Sequence, residues 1–377
     1  MLDKLIATRN YIWRKKYQWI LKPIFFKFDP ENIHNFVSSF LHFLGKYFLT
    51  RKIAYFCWGF GDPSLEQNIL GVNFKNPVGL AAGFDKNAKL IDIMPSLGFG
   101  FAEVGSITAQ PYEGNPELHL CRLPEAKTLR INYGLKNFGA KVLHQQLQNR
   151  IWFLPVGINI AKTNASETSE VNKGIEDYFF TYRIFQDIGN YFTINISCPN
   201  TCEKNPIFLE PKNLNLLLGK IFSIPKIKPV FIKLSPDLED VELQKILEVC
   251  QKYPLDGFVC GNLTKVNLLG HIGQGGFSGK AVQALSNQLI RKVYKEINDP
   301  AKALLWQKSN KPIIIGVGGI FNAEDAYRKI KAGASLLQLI TGLIFEGPQL
   351  ISDINLGLVK LLKADGYKNI SEAVGKE

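Results

Sequence analysis

Eight short apolar segments alternate with helical stretches from residue 76 onward, and this alternation constrains the fold more than any other feature. The apolar segments are residues 78–81, 101–104, 155–159, 193–196, 230–234, 257–260, 313–316 and 335–339. Helical patterns lie near residues 87–97, 136–149, 172–189, 211–223, 239–252, 281–297, 322–332 and 348–363. Buried strands that are each followed by a helix predict a (β/α)₈ barrel, the TIM-barrel fold. A doubly wound open sheet is the alternative, and eight regular units argue against it.

Chemically active residues follow the predicted strands. In a (β/α)₈ barrel, the active site lies at the carboxyl ends of the strands. Ser106, Asn159 and Lys233 end or follow apolar segments, and glycines follow the first and the seventh segment. One polar strand end is ordinary, but eight in register predict a functional site at this end of the barrel.

Residues 195–200, with the sequence NISCPN, combine two amides, a hydroxyl and a thiol at the end of the fourth predicted strand. Amides held by a strand end could bind a planar polar ligand, and the sulfur of Cys198 could take a proton from it. Asn, Ser and Pro are also ordinary turn residues, so a simple turn is the alternative.

Two glycine-containing segments lie on neighbouring predicted strands. Residues 316–320 (GVGGI) precede a predicted helix, and Thr341 and Gly342 follow the next strand. Glycines let backbone N–H groups approach an anion, and a helix N-terminus adds favourable polarity. A tight strand-to-helix turn is the alternative for one cluster, but two adjacent clusters favour a phosphate site.

Two common phosphate-binding motifs are missing from the sequence, and this limits the kind of phosphate ligand to expect. There is neither a GxGxxG fingerprint after the first predicted strand nor a Walker loop, which favours a single-phosphate ligand such as flavin mononucleotide, FMN. Ala82 and Gly83 leave room for a flat ring, and Lys233 could hold charge near the pyrimidine edge of a reduced flavin. A lysine that reaches solvent is the alternative for Lys233.

Positive charge is concentrated at the start of the chain. The first 60 residues carry ten Lys and Arg against three acids, and so hold +7 of the +12 net charge. Aromatic and aliphatic residues lie between these charges, a mixture typical of an interfacial helix and not of a nucleic-acid arm. No window reaches the roughly 18 uninterrupted apolar residues of a membrane span, and a cleaved signal peptide fits poorly. We therefore expect this region to lie on a membrane surface, with no nucleic-acid partner.

A second helical pattern within this region opens at Pro30 and Glu31. Apolar residues recur at helical spacing from Ile33 to Phe48. This apolar face could pack on the main core, or it could form an entry for a lipid-soluble molecule.

Glycine, aspartate and proline at residues 59–63 mark a boundary. This boundary predicts a helical extension, residues 1–62, and a barrel domain, residues 63–377. The six cysteines have no CxxC pairing and no matching histidine, so neither a metal site nor a disulfide framework is expected. A reducing, cytosolic compartment is the default.

Five segments together resemble the dihydroorotate dehydrogenase family. They are residues 74–87 (FKNPVGLAAGFDKN), 195–200 (NISCPN), 232–237 (IKLSPD), 275–279 (GGFSG) and 315–320 (IGVGGI). The resemblance covers about residues 20–361, and the basic, aromatic start is similar to that of the membrane-associated class, which passes electrons to a quinone. It implies FMN-dependent oxidation of dihydroorotate to orotate in pyrimidine (UMP) biosynthesis, by a peripheral protein on the cytoplasmic side of a membrane.

The resemblance also implies roles for individual residues. Cys198 would be the base that removes the C5 proton of dihydroorotate while a hydride leaves C6. The substrate would contact Lys86, Asn132, Asn195, Asn200 and Asn262. The cofactor would contact Ala82, Gly83, Ser106, Asn159, Asn195, Lys233, Gly279, Gly318, Gly319, Thr341 and Gly342.

Two departures from the family pattern concern the base and the substrate loop. Cysteine is the base of the soluble class, whereas the membrane-associated class usually has serine; a thiol, with a reference pKa of about 8.5, is far easier to deprotonate than a hydroxyl. An ungapped alignment places Ile131 where an asparagine binds substrate, and a one-residue deletion places Asn132 there instead. We favour Asn132, because an unpaired substrate amide against Ile131 would cost about 1–3 kcal/mol.

A third departure lies around the ligands, where Gly261 and Leu263 replace hydroxyl residues and Ile340 replaces an aromatic residue near the phosphate. Two other hypotheses therefore stay open. A soluble-type enzyme that uses fumarate or another acceptor is suggested by Cys198. A flavin-binding protein that has lost turnover is suggested by Ile131 and by the residues at 261 and 263.

Overall fold

All eight predicted apolar segments form strands, and these strands close into one parallel barrel. The computed structural model describes residues 2–116, 119–202, 206–266, 270, 274–302, 306 and 311–377. The strands in these ranges are β1 (Gln67–Ile69), β2 (Val72–Phe74), β3 (Val78–Leu80), β4 (Phe101–Ile107), β5 (Leu120–Leu123), β6 (Thr128–Ile131), β7 (Val156–Ile160), β8 (Tyr191–Asn195), β9 (Val230–Leu234), β10 (Gly257–Cys260), β11 (Gly276–Gly279), β12 (Ile313–Val317) and β13 (Leu336–Leu339). The α-helices are α1 (Leu2–Lys16), α2 (Lys22–Phe25), α3 (Pro30–Lys46), α4 (Phe48–Trp58), α5 (Ala140–Leu147), α6 (Val171–Ile184), α7 (Pro211–Ile221), α8 (Asp240–Cys250), α9 (Gln283–Ile297), α10 (Ala323–Lys331), α11 (Thr341–Glu346) and α12 (Leu350–Ala364).

The barrel order confirms the predicted (β/α)₈ fold and rules out the doubly wound sheet. Around the barrel run β3, β4, β7, β8, β9, β10, β12 and β13, and β13 pairs back to β3. Neighbouring strands are parallel, so functional residues meet at one end; Asn195 of β8, for example, is level with Lys233 of β9. The largest difference from the predicted bounds is in β4, which continues to Ile107.

Seven of the eight predicted helices are α-helical, and the exception is the one expected near residues 87–97. There the chain forms a 3₁₀ helix, Ile91–Leu97, with Pro95 inside it. Proline has no N–H to give to the carbonyl four residues earlier, so it disfavours an α-helix and is tolerated in this shorter, tighter form. The prediction of an α-helix at this place is therefore wrong.

Two small antiparallel sheets cover the two ends of the barrel. At the amino end, the β1–β2 hairpin brings Phe74 against Phe101, with ring centres 5.3 Å apart. At the carboxyl end, β5, β6 and β11 form a three-stranded sheet. Leu129, Ile131 and Ser278 of this sheet face a cavity that lies between the sheet and the barrel mouth.

The N-terminal helices pack against the barrel. Arg9 of α1 donates to the carbonyl oxygen of Gly59 at 2.9 Å and to Oγ of Ser352, in α12, at 2.8 Å. Asp29 precedes helix α3, and its carboxylate accepts hydrogen bonds from the N–H groups of Glu31 and Asn32 at 3.0 and 2.9 Å. This is a normal N-cap, which stabilises the start of the helix.

The apolar face of α3 divides between the core and the surface. Leu41 is buried in the main core, whereas Phe36 and Phe40 are 61% and 51% exposed. Packing of this face on the main core is therefore confirmed for Leu41, and its role as an entry for a lipid-soluble molecule stays a prediction. Within the described ranges, no helix combines the length and the apolar character that crossing a bilayer requires.

The close packing at the amino end gives a test of the barrel. A Cβ atom added at Gly79 of β3 would lie within 2.4–2.5 Å of the ring of Phe101. We expect Gly79→Ala to lower the free energy of unfolding by about 1–3 kcal/mol, as overpacked cores generally do. Gly61→Ala is the matched control, since its nearest neighbour atom would be 3.8 Å away. Urea denaturation measures both, and equal stability of the two variants would contradict this packing.

Candidate functional site

A single cavity at the carboxyl end of the barrel collects most of the predicted site residues. It is enclosed by the strand ends, the β5–β6–β11 sheet and helix α3. Of the residues expected to bind ligands or to act as base, the following line it: Ala82, Gly83, Lys86, Ser106, Asn195, Cys198, Asn200, Lys233, Asn262, Gly279, Gly318, Gly319, Thr341 and Gly342. Two expected residues, Asn132 and Asn159, do not.

Asn159 does not line the cavity, and its expected contact with a cofactor stays a prediction. Its Oδ1 accepts a hydrogen bond from Oγ of Ser106 at 2.5 Å, and its Nδ2 donates to the Glu103 carboxylate at 2.7 Å. Both ends of the amide are thus occupied by protein groups. Asn159 fixes Ser106, which does face the cavity.

Asn132 does not line the cavity either, and its role in place of the family's substrate asparagine stays a prediction. Strand β6 pairs with β5 from Thr128 to Ile131, so Asn132 directly follows the paired residues. Side chains alternate along a strand, so Leu129 and Ile131 face the cavity and Asn132 does not. The Asn132 Oδ1 instead accepts a hydrogen bond from Nδ2 of Asn115 at 2.9 Å.

One end of the cavity is built from glycine backbone. Gly318 and Gly319 have φ values of +103° and +70°, a region that favours glycine. A Cβ atom at Gly319 would lie 2.4 Å from Cβ of Gln283. Helix α10 begins just beyond, where Oδ1 of Asn322 accepts the N–H of Asp325 at 2.7 Å. Glycine backbone that lines a cavity beside a helix N-terminus is suited to an anion such as a phosphate.

The middle of the cavity has open, polar walls. Gly83 has a φ of +104°, and a Cβ atom built there would meet nothing within 4 Å, so this wall leaves space for a flat ligand. Asn195 Nδ2 donates to Oγ of Ser106 at 3.0 Å. Asn262 Nδ2 donates to both the carbonyl oxygen and Oγ of Ser197, each at 3.0 Å. These bonds hold the two amides in fixed orientations.

Lys233 contributes a buried positive charge to the same wall. Burial lowers the pKa of this lysine, and the negative charge of Glu103 partly opposes that shift. The hydrogen bonds of the described residues include no acceptor for its Nζ. A buried ammonium in this position stabilises negative charge on a ligand in the cavity.

Cys198 is half-buried beside the cavity, close to Asn200. Burial raises the pKa of the Cys198 thiol, while the backbone N–H of Asn200 and the ammonium groups of Lys233, Lys265 and Lys162 act in the opposite direction. The thiol is therefore the resting form near neutrality. Its conversion to thiolate becomes easier as pH rises.

Asn200 presents an unused acceptor. Its Nδ2 donates to the carbonyl oxygen of Ile131 at 2.8 Å, which fixes the orientation of the amide. Its Oδ1 is buried and accepts no hydrogen bond from the described residues. Buried polar atoms rarely lack a partner, so a ligand N–H is a suitable donor for this oxygen.

Lys86 lies at the other side of the cavity, with its Nζ 3.8 Å from the centre of the Tyr133 ring. Burial lowers the pKa of Lys86 to about 8, against the opposing charge of Glu31. Nearby, burial and the Lys86 charge lower the pKa of His34 to about 4, so this histidine is neutral at physiological pH. The ring of His34 meets that of Phe84 edge-on at 4.9 Å.

Three residues of this site were not predicted from sequence. Tyr133 and His34 line the cavity, and Glu103 lies buried beneath it. A signal existed for Glu103, because a carboxylate inside an otherwise apolar strand must be satisfied by buried donors. Tyr133 and His34 had no comparable signal, since aromatic residues in a loop or on a helix face are ordinary.

Comparison with known proteins shows similarity along nearly the whole chain. The family model for dihydroorotate dehydrogenase matches residues 64–362. A dihydroorotate dehydrogenase (quinone) from Sulfurovum sp. (strain NBC37-1) is 40% identical, covering 95% of this chain and 97% of the relative. One from Natronomonas pharaonis is 37% identical, covering 94% of this chain and 98% of the relative. A crystal structure of DHODH in complex with ferulenol, from Eimeria tenella, has a TM-score of 0.77 and 28% identity, covering 92% of this chain and 95% of that one.

The lowered pKa of Lys86 can be measured directly. Only a neutral amine reacts in reductive methylation, so we expect labelling of Lys86 to reach half its maximal rate near pH 8. Lys173 is an internal control, because its hydrogen bond to Glu170 raises its pKa. Peptide mass spectrometry follows both lysines in one sample. Identical pH profiles for the two would contradict the environment described for Lys86.

Proposed function

The chain belongs to the dihydroorotate dehydrogenase family, and from this premise we propose that it oxidises dihydroorotate to orotate and passes the electrons to a quinone. The observation that carries the proposal is the cavity in which Cys198, Lys86 and Asn200 lie together with the glycine end and Lys233. The reaction belongs to pyrimidine (UMP) biosynthesis. Relatives named for quinone use match almost the full length of the chain.

The family is flavin-dependent, and we propose FMN as the flavin. A single phosphate suits the backbone of Gly318 and Gly319 at the start of α10, and the wall at Gly83 is open to a flat ring. Ser106, Asn195, Gly279, Thr341 and Gly342 would complete the contacts. When bound, FMN would take up the hydride of the substrate and supply both electrons to the acceptor. Lys233 would balance negative charge on the flavin.

This chain's own groups would carry out proton removal and substrate orientation. The thiolate of Cys198 would take the C5 proton and become a thiol. The Lys86 ammonium would hold the substrate carboxylate, and Asn200 Oδ1 would accept a ring N–H. Asn195 and Asn262, already oriented by their hydrogen bonds to protein groups, would contact the remaining polar edge. Ile131, which lines the cavity, would give the substrate an apolar contact.

The N-terminal extension would form the route for the acceptor. We propose residues 1–62 as this helical unit and residues 63–377 as the catalytic barrel. His34 of α3 and Phe84, Leu120 and Ile344 of the barrel line the side of the cavity that faces the extension. A neutral histidine among apolar side chains suits a lipid-soluble quinone.

The same extension would attach the protein to the cytoplasmic side of a membrane as a peripheral protein. Trp19, Phe48 and Phe56 are 72%, 63% and 79% exposed. Lys15 lies 4.5 Å from the ring centre of Trp19, and Lys52 lies 4.4 Å from that of Phe48. Exposed aromatic residues paired with cations match the boundary between acyl chains and anionic headgroups.

Replacing the base is the most direct mutational test. We expect Cys198→Ala to keep FMN but to slow flavin reduction by dihydroorotate by about 10²–10⁴-fold in anaerobic stopped-flow measurements. In the unchanged protein, the rate at saturating substrate should rise with pH into the alkaline range, because burial raises the pKa of the thiol and only the thiolate accepts a proton. Cys198→Ser is the matched control and should need still higher pH. A near-normal rate in Cys198→Ala would eliminate the thiol as base.

Steady-state kinetics with different electron acceptors tests which acceptor the protein uses. A cysteine base is the one observation that favours a soluble-type enzyme, which uses fumarate or a similar acceptor. We expect a short-chain quinone to give a higher kcat/KM than fumarate, because the extension and its apolar cavity wall are present. The reverse preference would support the soluble-type alternative.

Membrane attachment is tested by sedimentation with vesicles. We expect the protein to bind phosphatidylglycerol vesicles more than phosphatidylcholine vesicles, and added salt to weaken binding. Phe48→Ser with Phe56→Ser should reduce binding, whereas Ile227→Ser, a 61% exposed apolar residue on the barrel, should not. Protein that stays in the supernatant with every vesicle would contradict attachment.

A further inference from the structure

Helix α3 of the extension contacts the substrate side of the cavity through a hydrogen bond between Glu31 and His119. Glu31, in the first turn of α3, has its Oε2 2.9 Å from Nδ1 of His119. The other ring nitrogen of His119 lies 2.7 Å from the carbonyl oxygen of Asn115. Because oxygen atoms hold the imidazole at both nitrogens, its plane is fixed. One of these oxygens belongs to the extension and the other to the barrel.

The fixed imidazole supports Tyr133. The two rings stack with centres 4.9 Å apart and planes 24° from parallel. Tyr133 in turn contacts the ammonium of Lys86, whose Nζ is 3.8 Å from the ring centre. A cation over an aromatic face is attracted to it, so the place of Tyr133 influences the place of Lys86. A continuous series of contacts therefore links Glu31 to Lys86.

The loop that carries Tyr133 is held from two sides. On the barrel side, Asn115 Nδ2 donates to Asn132 Oδ1 at 2.9 Å and to the carbonyl oxygen of Asn200 at 3.2 Å. On the extension side, Glu31 faces Nζ of Lys136 at 3.9 Å. Without Glu31, only the barrel side of this support remains.

The charge of Glu31 also influences the protonation of Lys86. The groups that face Lys86 are Glu31 and His34 from α3, Tyr133 and Lys136 from the loop after β6, and Asp85 beside it in sequence. Burial lowers the pKa of Lys86, and the charge of Glu31 is the largest influence that raises it. Removal of that charge would leave less ammonium at Lys86 near neutrality.

We infer that helix α3 is part of the substrate site, with Glu31 and His119 as positioning residues that act on Lys86 through Tyr133. This inference rests on the proposed function, in which Lys86 holds the carboxylate of dihydroorotate. It gives the extension a role in the reduction of the flavin by substrate, in addition to admission of the acceptor.

The test is Glu31→Gln in the full-length, FMN-loaded protein. Anaerobic stopped-flow measurement should show an about tenfold weaker apparent affinity for dihydroorotate in flavin reduction, while the KM for a short-chain quinone stays unchanged. The alkaline loss of kcat/KM should move to lower pH, because the pKa of Lys86 falls. Glu346→Gln is the matched control: it removes an acid that pairs with Lys127 at 2.6 Å and contacts Gln18 of the extension, away from Lys86. This control should leave dihydroorotate affinity and the pH profile unchanged.

A second variant separates positioning from loss of folding. His119→Phe keeps a ring against Tyr133 but cannot pair with Glu31, so it should weaken dihydroorotate affinity as Glu31→Gln does. The double variant should be no weaker than either single variant, since both changes break one route. FMN content and thermal midpoint should match the unchanged protein.

The outcomes distinguish this inference from the proposed function. Normal flavin reduction by the unchanged protein, together with unchanged dihydroorotate affinity and pH profile in Glu31→Gln, would overturn the inference alone. Additive losses in the double variant would also overturn it. Failure of dihydroorotate to reduce the flavin of the unchanged protein would overturn the proposed function and this inference together.

Discussion

A buried carboxylate in the barrel interior organises the site above it. Glu103 of β4 is fully buried and accepts hydrogen bonds from Asn159 of β7, Thr193 of β8 and Gln338 of β13, at 2.7, 2.9 and 2.8 Å. An unpaired charge in this place would be very costly, so these donors must stay in register. The carboxylate thereby fixes four strands of the barrel relative to one another through their side chains, since β4, β7, β8 and β13 all contribute to the cluster.

The hydrogen bonds that begin at Glu103 continue to the cavity wall. Oδ1 of Asn159 accepts a hydrogen bond from Oγ of Ser106, and this Oγ accepts one from Nδ2 of Asn195. Two layers of hydrogen bonds therefore join the barrel interior to the cavity wall. Asn262 then bonds to the segment that carries Cys198. These hydrogen bonds orient the amides of the wall, and preorganised groups need little rearrangement during reaction.

The barrel could be predicted from the sequence because its strands and helices are determined by patterns of residues that are close together in the chain. Each parallel strand is buried on both faces and reads as a short apolar run, and each run is followed by a helical period. The hydrogen-bond partners of the site side chains, by contrast, are distant in sequence. Nothing near Asn132 in sequence indicates that Asn115 will bond to it, and nothing near Glu31 indicates His119. The most informative prediction of the site was therefore the set of strand ends, whereas the hydrogen-bond partners of Asn132 and Asn159 could not be predicted from neighbouring residues.

We propose that dihydroorotate bound in this cavity reduces a bound flavin. The most direct measurement is anaerobic mixing of the purified, FMN-loaded protein with dihydroorotate while flavin absorbance is followed. Bleaching of the flavin with formation of orotate is the result that we predict. A flavin that stays oxidised at saturating dihydroorotate would contradict the proposed reaction. That result would support the alternative of a flavin-binding protein that has lost turnover.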